Sequence, residues 1–265
     1  MLELIDIGIN LTHDSYDHDR AAVLSRAIDH GVRQFIVTGA SADSSKAALD
    51  LVGLSPRILR STAGCHPHHA VNYDATAHSI ITELLQHPWV VAVGETGLDY
   101  HRNFSSPAEQ RHAFEKQLDL AVATRKPLFL HQRDAHADFI AMLTERAAVL
   151  PRAVLHCFTG TANELDESLQ AGLWIGITGW ICDERRGHHL RDLVARIPAG
   201  RLMIETDGPY LLPRDLNPKP ESRRNEPMFL QHIANVIAAA RGETLEELAA
   251  HTTQTARNFF DFPAE

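Results

Sequence analysis

Short apolar or β-branched runs alternate with longer amphipathic stretches almost from one end of this chain to the other, and few folds accommodate such an alternation. Eight strand candidates are read at residues 2–7, 34–38, 58–63, 90–94, 127–130, 153–155, 174–177 and 202–204. Between them, residues 20–30, 42–52, 75–86, 108–124, 135–148, 163–171 and 190–196 carry apolar side chains at helical spacing. A strand, a helix and another strand, repeated, specify a parallel sheet covered by helices, since parallel neighbours need a long crossover. Eight such units predict an α/β fold, the (β/α)8 TIM barrel, and a barrel of this kind occupies about 250 residues as one domain. A single domain over residues 1–265 is therefore expected. Two more helices are read at 228–240 and 245–258, the second with Thr244 as cap and Glu247 as its return partner. Residues 210–227, rich in proline and arginine, read as a long loop after the eighth strand.

Composition narrows the function classes. No stretch approaches the roughly 20 apolar residues of a membrane helix, and the first residues lack the basic end and cleavage site of a signal peptide, so a soluble cytoplasmic protein without membrane partners is expected. Cys65, Cys157 and Cys182 contain no CxxC pair, which argues against a disulfide framework and against a cysteine-built zinc site. A net charge of −9 is the wrong sign for a protein that coats nucleic acid, so any polyanion must be held locally. No long exposed apolar stripe stands out, and a monomer is expected.

In a parallel barrel the active site is assembled from residues at the C-terminal strand ends. Here the third strand leads into Cys65-His66-Pro67-His68, the fourth into Gly94-Glu95, the fifth into His131, the sixth into His156 and the eighth into Glu205-Thr206-Asp207. Any one of these alone reads as a hydrogen-bonded rim residue. Glu95, His131, His156 and Asp207 together, one or two β–α units apart, read as the mixed N/O shell of a divalent cation: zinc or manganese, or magnesium completed by water and substrate oxygens. His66 and His68 lie past their strand in a proline-containing turn, where structural or substrate contacts are as consistent as metal binding.

The segments AGCHPHHA, VAVGETGLDYHRNFS, PLFLHQRDAH, VLHCFTGT, GITGWICDERRG and IETDGPYLLPRDLNPKPESRRNEP, in this order and over nearly the whole chain, resemble the successive signatures of the TatD deoxyribonucleases. The last two resemble the central branch of that family more than its distant members. The resemblance implies a TIM barrel of the metal-dependent hydrolase superfamily with metal contacts at Glu95, His131, His156 and Asp207. It also implies 3′-to-5′ exonuclease action on single-stranded DNA or RNA, with a role in DNA repair or nucleic-acid turnover. One departure matters: many members begin Asp-x-His-x-His, whereas this chain reads Asp6-Ile7-Gly8-Ile9-Asn10. Glycine offers no ligand and an amide oxygen is a poor substitute for imidazole. One firm site is therefore expected, with magnesium first and manganese or zinc as alternatives, and a second site weak or absent. Asp6 remains to orient a ligand or a water.

Phosphodiester hydrolysis needs an activated water and neutralisation of phosphoryl charge. Asp207 is expected to accept the water proton, and His66 to assist the leaving group. Arg133, Arg185, Arg186 and Arg223 are expected to meet phosphates, with His68 also touching substrate; Arg214, Lys219 and Arg224 punctuate the same loops. The competing expectation is that these arginines pair with Asp183, Glu184, Asp215, Glu221 and Glu226. Tyr100, Phe104, Trp180 and Tyr210 are placed to stack on unpaired bases or to pack the rim. Two alternatives keep the fold and change the function: an amidohydrolase, lactonase or aminoacyl-tRNA deacylase, and a catalytically idle binding protein.

Overall fold

The computed structural model of the chain describes residues 2–262, so the ends of the expected 1–265 domain, Met1 and residues 263–265, lie outside the described residues. The strands are β1 Leu4–Ile9, β2 Val32–Val37, β3 Leu59–Ala63, β4 Val90–Asp99, β5 Leu128–Arg133, β6 Ala153–Leu155, β7 Trp174–Ile177 and β8 Leu202–Ile204. They form one eight-stranded sheet in chain order. The helices are α1 Arg20–Asp29, α2 Ala42–Leu54, α3 Ala75–Leu84, α4 Pro107–Thr124, α5 His136–Thr144, α6 Ala162–Gln170, α7 His188–Val194, α8 Leu230–Arg241 and α9 Leu245–Phe260. This is the (β/α)8 arrangement that the alternation predicts. Among the described residues, no helix is long and apolar enough to cross a membrane.

By its internal contacts the chain divides into two compact units. The first holds β1, β2, β8 and most of β7, with α1, α7, α8 and α9. Every residue of β1 is buried, as expected for a parallel strand covered on both faces. The chain leaving β8 is bonded back to β1, with Asp207 N donating to Gly8 O and Asn10 N to Gly208 O, both at 2.8 Å. Thr244 and Glu247 form the expected reciprocal cap of α9, which buries Leu248, Ala256, Phe259 and Phe260. No helix or strand interrupts residues 205–226, as expected for the long loop. It is pinned instead by side chains: Tyr16 Oη donates to Asn225 O at 2.5 Å, and Arg224 is ion-paired with Asp19 and Glu226.

The second unit holds β3 to β6 with α2 to α6. Here β4 and β5 run on to Asp99 and Arg133, past the ends the sequence predicts. An apolar run stops being readable at its first polar residue, whereas the ladder continues because the buried carboxylates of Glu95 and Asp99 find partners. Conversely, α5 stops at Thr144, since the residues after it close tight turns such as Val149 N to Arg146 O.

Two buried glutamines on one face of α4 hold the end of β4 and the turn after β3. Gln110 accepts from Asp99 N at 2.8 Å and donates to Asp99 O at 3.0 Å and Ser105 O at 2.9 Å. Two turns later, Gln117 accepts from Cys65 N at 2.7 Å and donates to Cys65 O at 3.1 Å. Leaving such an amide buried and unpaired would cost about 1–3 kcal/mol, so both pegs are held to this register.

Candidate metal centre

Glu95 is delivered by a bulge in β4. Val93 pairs with Leu128 of β5, but the next paired residue is Thr96, opposite Leu130, so β4 carries one extra residue between them. Such an insertion bends the strand and re-aims a side chain. Gly94 has φ +141°, and a Cβ there would lie 2.2 Å from Phe129 O; Gly97 has φ +144°, and a Cβ would lie 1.9 Å from His131 O. Only glycine fits either position. Glu95 N donates to Gly39 O at 2.7 Å, which anchors the bulge from its other side.

Three imidazoles surround one oxygen of this carboxylate. Glu95 Oε1 lies 2.7 Å from His156 Nε2, 3.2 Å from His131 Nδ1 and 3.4 Å from His66 Nε2. Burial by itself raises the Glu95 carboxyl, but His66 and His156 beside it, and hydrogen bonds from His131 and His156, hold it well below the usual carboxylate range. Ligand-capable atoms of His66, Glu95 and His131 lie within 4.8 Å of one another. Donors of both nitrogen and oxygen type converging on one point suit a borderline divalent cation.

The three rings are not equivalent. His66 caps the short helical turn Pro67–Asn72, its Nδ1 accepting from His68 N at 3.0 Å. The proton of the neutral ring therefore sits on Nε2, and His66 faces Glu95 with a donor and not a lone pair. Burial pushes its pKa well below the ordinary histidine value, so the ring stays neutral. His156 follows β6, stacks on Phe129 at 4.6 Å and is nearly fully buried. His131 projects from β5 with Nδ1 toward Glu95. His68 turns away from Glu95: its Nε2 lies 2.8 Å from Asp99 Oδ2, and its ring meets Phe104 edge-on at 4.8 Å.

Asp207 belongs to the first unit. It adopts φ +54°, and its Oδ1 accepts from Asn10 Nδ2 at 2.9 Å. Asn10, at the place of the second histidine in Asp-x-His-x-His, thus presents a donor. Asp6 accepts from Thr206 N at 3.0 Å, from Gly8 N at 3.3 Å and from the Thr206 hydroxyl; burial pushes its carboxyl up to about 7. This acid is committed to the chain after β8. Glu205 is also buried and accepts from Cys157 N at 2.6 Å.

The basic residues sort into two groups. Arg185 and Arg186 both reach Asp183 at 3.4 Å, Arg186 also lies over the Trp180 ring at 4.5 Å, and Arg214 reaches Glu184 at 3.7 Å. Arg224 is held by Asp19 and Glu226. By contrast, Arg133 and exposed Arg223 form no side-chain ion pair among the described residues. Of the four aromatics, Tyr100 donates to Asp138 at 2.7 Å, whereas Phe104 and Tyr210 are exposed. A second group with metal-ligating atoms, Cys182, Asp215 and His232, is a pin for the long loop: Asp215 is met by His232 at 2.7 Å and Arg191 at 3.6 Å, and burial pushes the Cys182 thiol up.

The pattern described as TatD-related DNase matches residues 5–261. The chain belongs to the TatD family. A 3′-5′ ssDNA/RNA exonuclease TatD from Erwinia billingiae is 51% identical over 261 residues, covering 98% of this chain and all of its relative. The protein of the same description from Dickeya dadantii is 52% identical over 257 residues, 97% of each. Among solved structures, a TatD family hydrolase from Entamoeba histolytica has a TM-score of 0.90 at 27% identity, covering 99% of both chains. In this TatD chain, sequence reasoning passed over Asp99, and it read Asn10 as a poor ligand without its hydrogen bond to Asp207. The signal for Asp99 is the acid that closes GETGLD, hidden because the strand reads as ending at Gly94.

Proposed function

We propose that this chain is a divalent-metal-dependent 3′-to-5′ exonuclease of single-stranded DNA and RNA, with Glu95, His131 and His156 holding the cation. The observation that carries this reading is the single carboxylate oxygen of Glu95 with three imidazole nitrogens 2.7 to 3.4 Å away. These residues fit the group: Glu95 and His156 are buried and His131 partly so, and the donors are of mixed N/O type and carried at strand ends. When bound, the cation supplies Lewis acidity toward a phosphoryl oxygen and an attacking water. We assign magnesium to it, since oxygen-rich phosphate substrates complete its shell, with manganese or zinc accepted by the imidazoles. Asn10 offers a donor, so one firm site is retained.

The remaining roles belong to the chain. Asp207, the acid of IETDGP, is assigned as general base on that signature, with one oxygen fixed by Asn10. His66, neutral with its proton on Nε2, donates a hydrogen bond to developing charge on the phosphate or leaving oxygen. Arg133 lies two residues beyond His131 on the same face of β5, one side-chain repeat of about 7 Å along the strand. With Arg223 it is the cation available for substrate phosphate, whereas Arg185 and Arg186 are shared with Asp183 and need to be released from it. His68 lines the approach through Phe104, whose exposed ring offers a stacking face for an unpaired base. We treat the chain as one catalytic domain and a monomer of the reducing cytoplasm, serving nucleic-acid turnover or repair; the span of the family match supports this setting, and no disulfide joins Cys65, Cys157 and Cys182.

The test is degradation of 5′-labelled single-stranded and duplex oligonucleotides with magnesium, manganese or zinc, and with chelator. A ladder receding from the 3′ end, faster on single strands and abolished by chelator or by Glu95→Ala, is the expected result. Metal-independent cleavage, or hydrolysis confined to an aminoacyl ester, would overturn the reading.

A further inference from the structure

We propose that Cys182, Asp215 and His232 form a second cation site of this chain, selective for zinc, which fastens the long loop after β8 to α8 and to the turn after β7. It shares no residue with the centre of Glu95, His131 and His156 and stands independently of that reading.

The three side chains come from three segments of the first unit. Cys182 ends the short helical turn Gly179–Cys182 after β7, Asp215 lies in the loop 205–226, and His232 is in the first turn of α8. Their ligand-capable atoms all lie within 4.8 Å of one another. His232 Nε2 is 2.7 Å from Asp215 Oδ1, and the Cys182 thiol is hydrogen-bonded to the same carboxylate. A zinc ion binds nitrogen, oxygen and sulfur at about 2.0–2.3 Å, which sets tetrahedral donors about 3.3–3.6 Å apart. To take the ion, the imidazole and the carboxylate need only part from 2.7 Å to about 3.3 Å.

Two further features fit a built site. Arg191 holds the arrangement from outside: its Nε donates at 3.3 Å to the carbonyl of Ile181, the residue before Cys182, and its guanidinium lies 3.6 Å from Asp215 Oδ2. Oδ2 is thus engaged, and Oδ1, on the side of the imidazole, is the oxygen for the ion; outer partners of this kind orient ligands. Cys182 is fully buried, whereas the Asp215 and His232 side chains each keep 31% of their surface exposed. The ion therefore enters from solvent, and its fourth position is left to water.

The cation replaces the two hydrogens that now link the three groups. The Cys182 thiol, kept protonated in the metal-free chain by burial and by Asp215, gives its proton to solvent as the sulfur binds the ion. The imidazole carries its one proton on Nδ1 and ligates through Nε2. Thiolate and carboxylate balance the two charges of the ion. The sulfur also sets the selectivity: a soft thiolate favours zinc over magnesium, whereas the centre of Glu95 offers nitrogen and oxygen alone. No CxxC spacing marks such a site, because the fold alone gathers its ligands. The loop it ties contains no helix or strand, and a clip that closes a long loop removes the most chain entropy.

The experiment uses Co²⁺ as probe in the metal-free full chain, since a cobalt–thiolate bond gives a near-ultraviolet charge-transfer band that nitrogen and oxygen donors do not. The band should appear in the wild type, persist in Glu95→Ala, resist excess Mg²⁺ and vanish when Zn²⁺ displaces the cobalt. It should be lost in Cys182→Ala and kept in Cys157→Ala, the control for the thiol beside His156. In His232→Ala, at a partly exposed position that keeps the fold, Co²⁺ affinity should fall at least about tenfold. Zn²⁺ should raise the Tm of the wild type and leave that of Cys182→Ala unchanged. Absence of the band, its survival in Cys182→Ala, its loss in Cys157→Ala or Glu95→Ala, or unchanged affinity in His232→Ala would overturn the proposal. A chain that shows the band but degrades no oligonucleotide would count against the nuclease reading alone.

Discussion

The side-chain amide of Asn10 donates to Asp207 Oδ1 across 2.9 Å, so the carboxylate assigned as general base is held by a neutral donor where many TatD sequences carry imidazole. Replacing Asn10 by aspartate sets two carboxylates against each other and raises the proton affinity of the pair. The acid limb of kcat in Asn10→Asp should move up by about one pH unit or more, on the scale of like-charge shifts. A pH–rate profile checks this, and an unmoved limb counts against Asp207 as the base.

Asp6 bears on stability and not on turnover. Its folded-state pKa of about 7 lies above the ordinary 3.8, because burial disfavours the anion. In acid the group is protonated whether the chain is folded or not; as pH rises from 4 to 7 only the unfolded chain gains the solvated charge, so this contribution to stability is lost across that window. In Asp6→Asn that loss is removed. Denaturant midpoints taken from pH 4 to 8 should fall less steeply for the variant than for the wild type, and parallel curves would contradict the assignment.

The β4 bulge admits no side chain at Gly94. Gly94→Ala should destabilise the chain by about 1–3 kcal/mol from its left-handed φ alone, with more from the clash with Phe129 O. Urea unfolding provides the measurement, and loss of Mn²⁺ binding should accompany it because Glu95 is the next residue.

Arg133 and Arg224 separate binding from folding. Arg133→Ala should weaken single-stranded oligonucleotide binding and reduce the slope of log affinity against log salt by about 0.7, the value for one released counterion, with Tm unchanged. Arg224→Ala breaks the contacts to Asp19, Glu226 and Ser15 O and should cost about 1–3 kcal/mol of stability while leaving that salt slope intact.

Much of this architecture was legible in the order of residues. Periodicity gave all eight strands and the loop after β8, because apolar alternation is a direct imprint of burial on both faces. Polar residues after apolar runs pointed to Glu95, His131, His156 and Asp207, the first three of which the fold gathers in its second unit. What stayed hidden depended on pairing. Nothing in GETGLD announces that β4 continues through a bulge, that Asp99 is thereby set beside His131, or that Oδ1 is filled by backbone. The arginines of the late loops were equally ambiguous: only tertiary contacts separate Arg224, locked to two acids, from Arg223 beside it.

The two glutamines of α4 carry a consequence for how this barrel can change over time. Gln110 grips the end of β4 and Gln117 the turn after β3, so one helical phase governs both attachments. Inserting or deleting one residue between them would rotate one grip by about 100° relative to the other. Outer-layer helices are usually where length varies freely, but here lineages should tolerate substitution along α4 far more readily than any alteration of the count between those two positions.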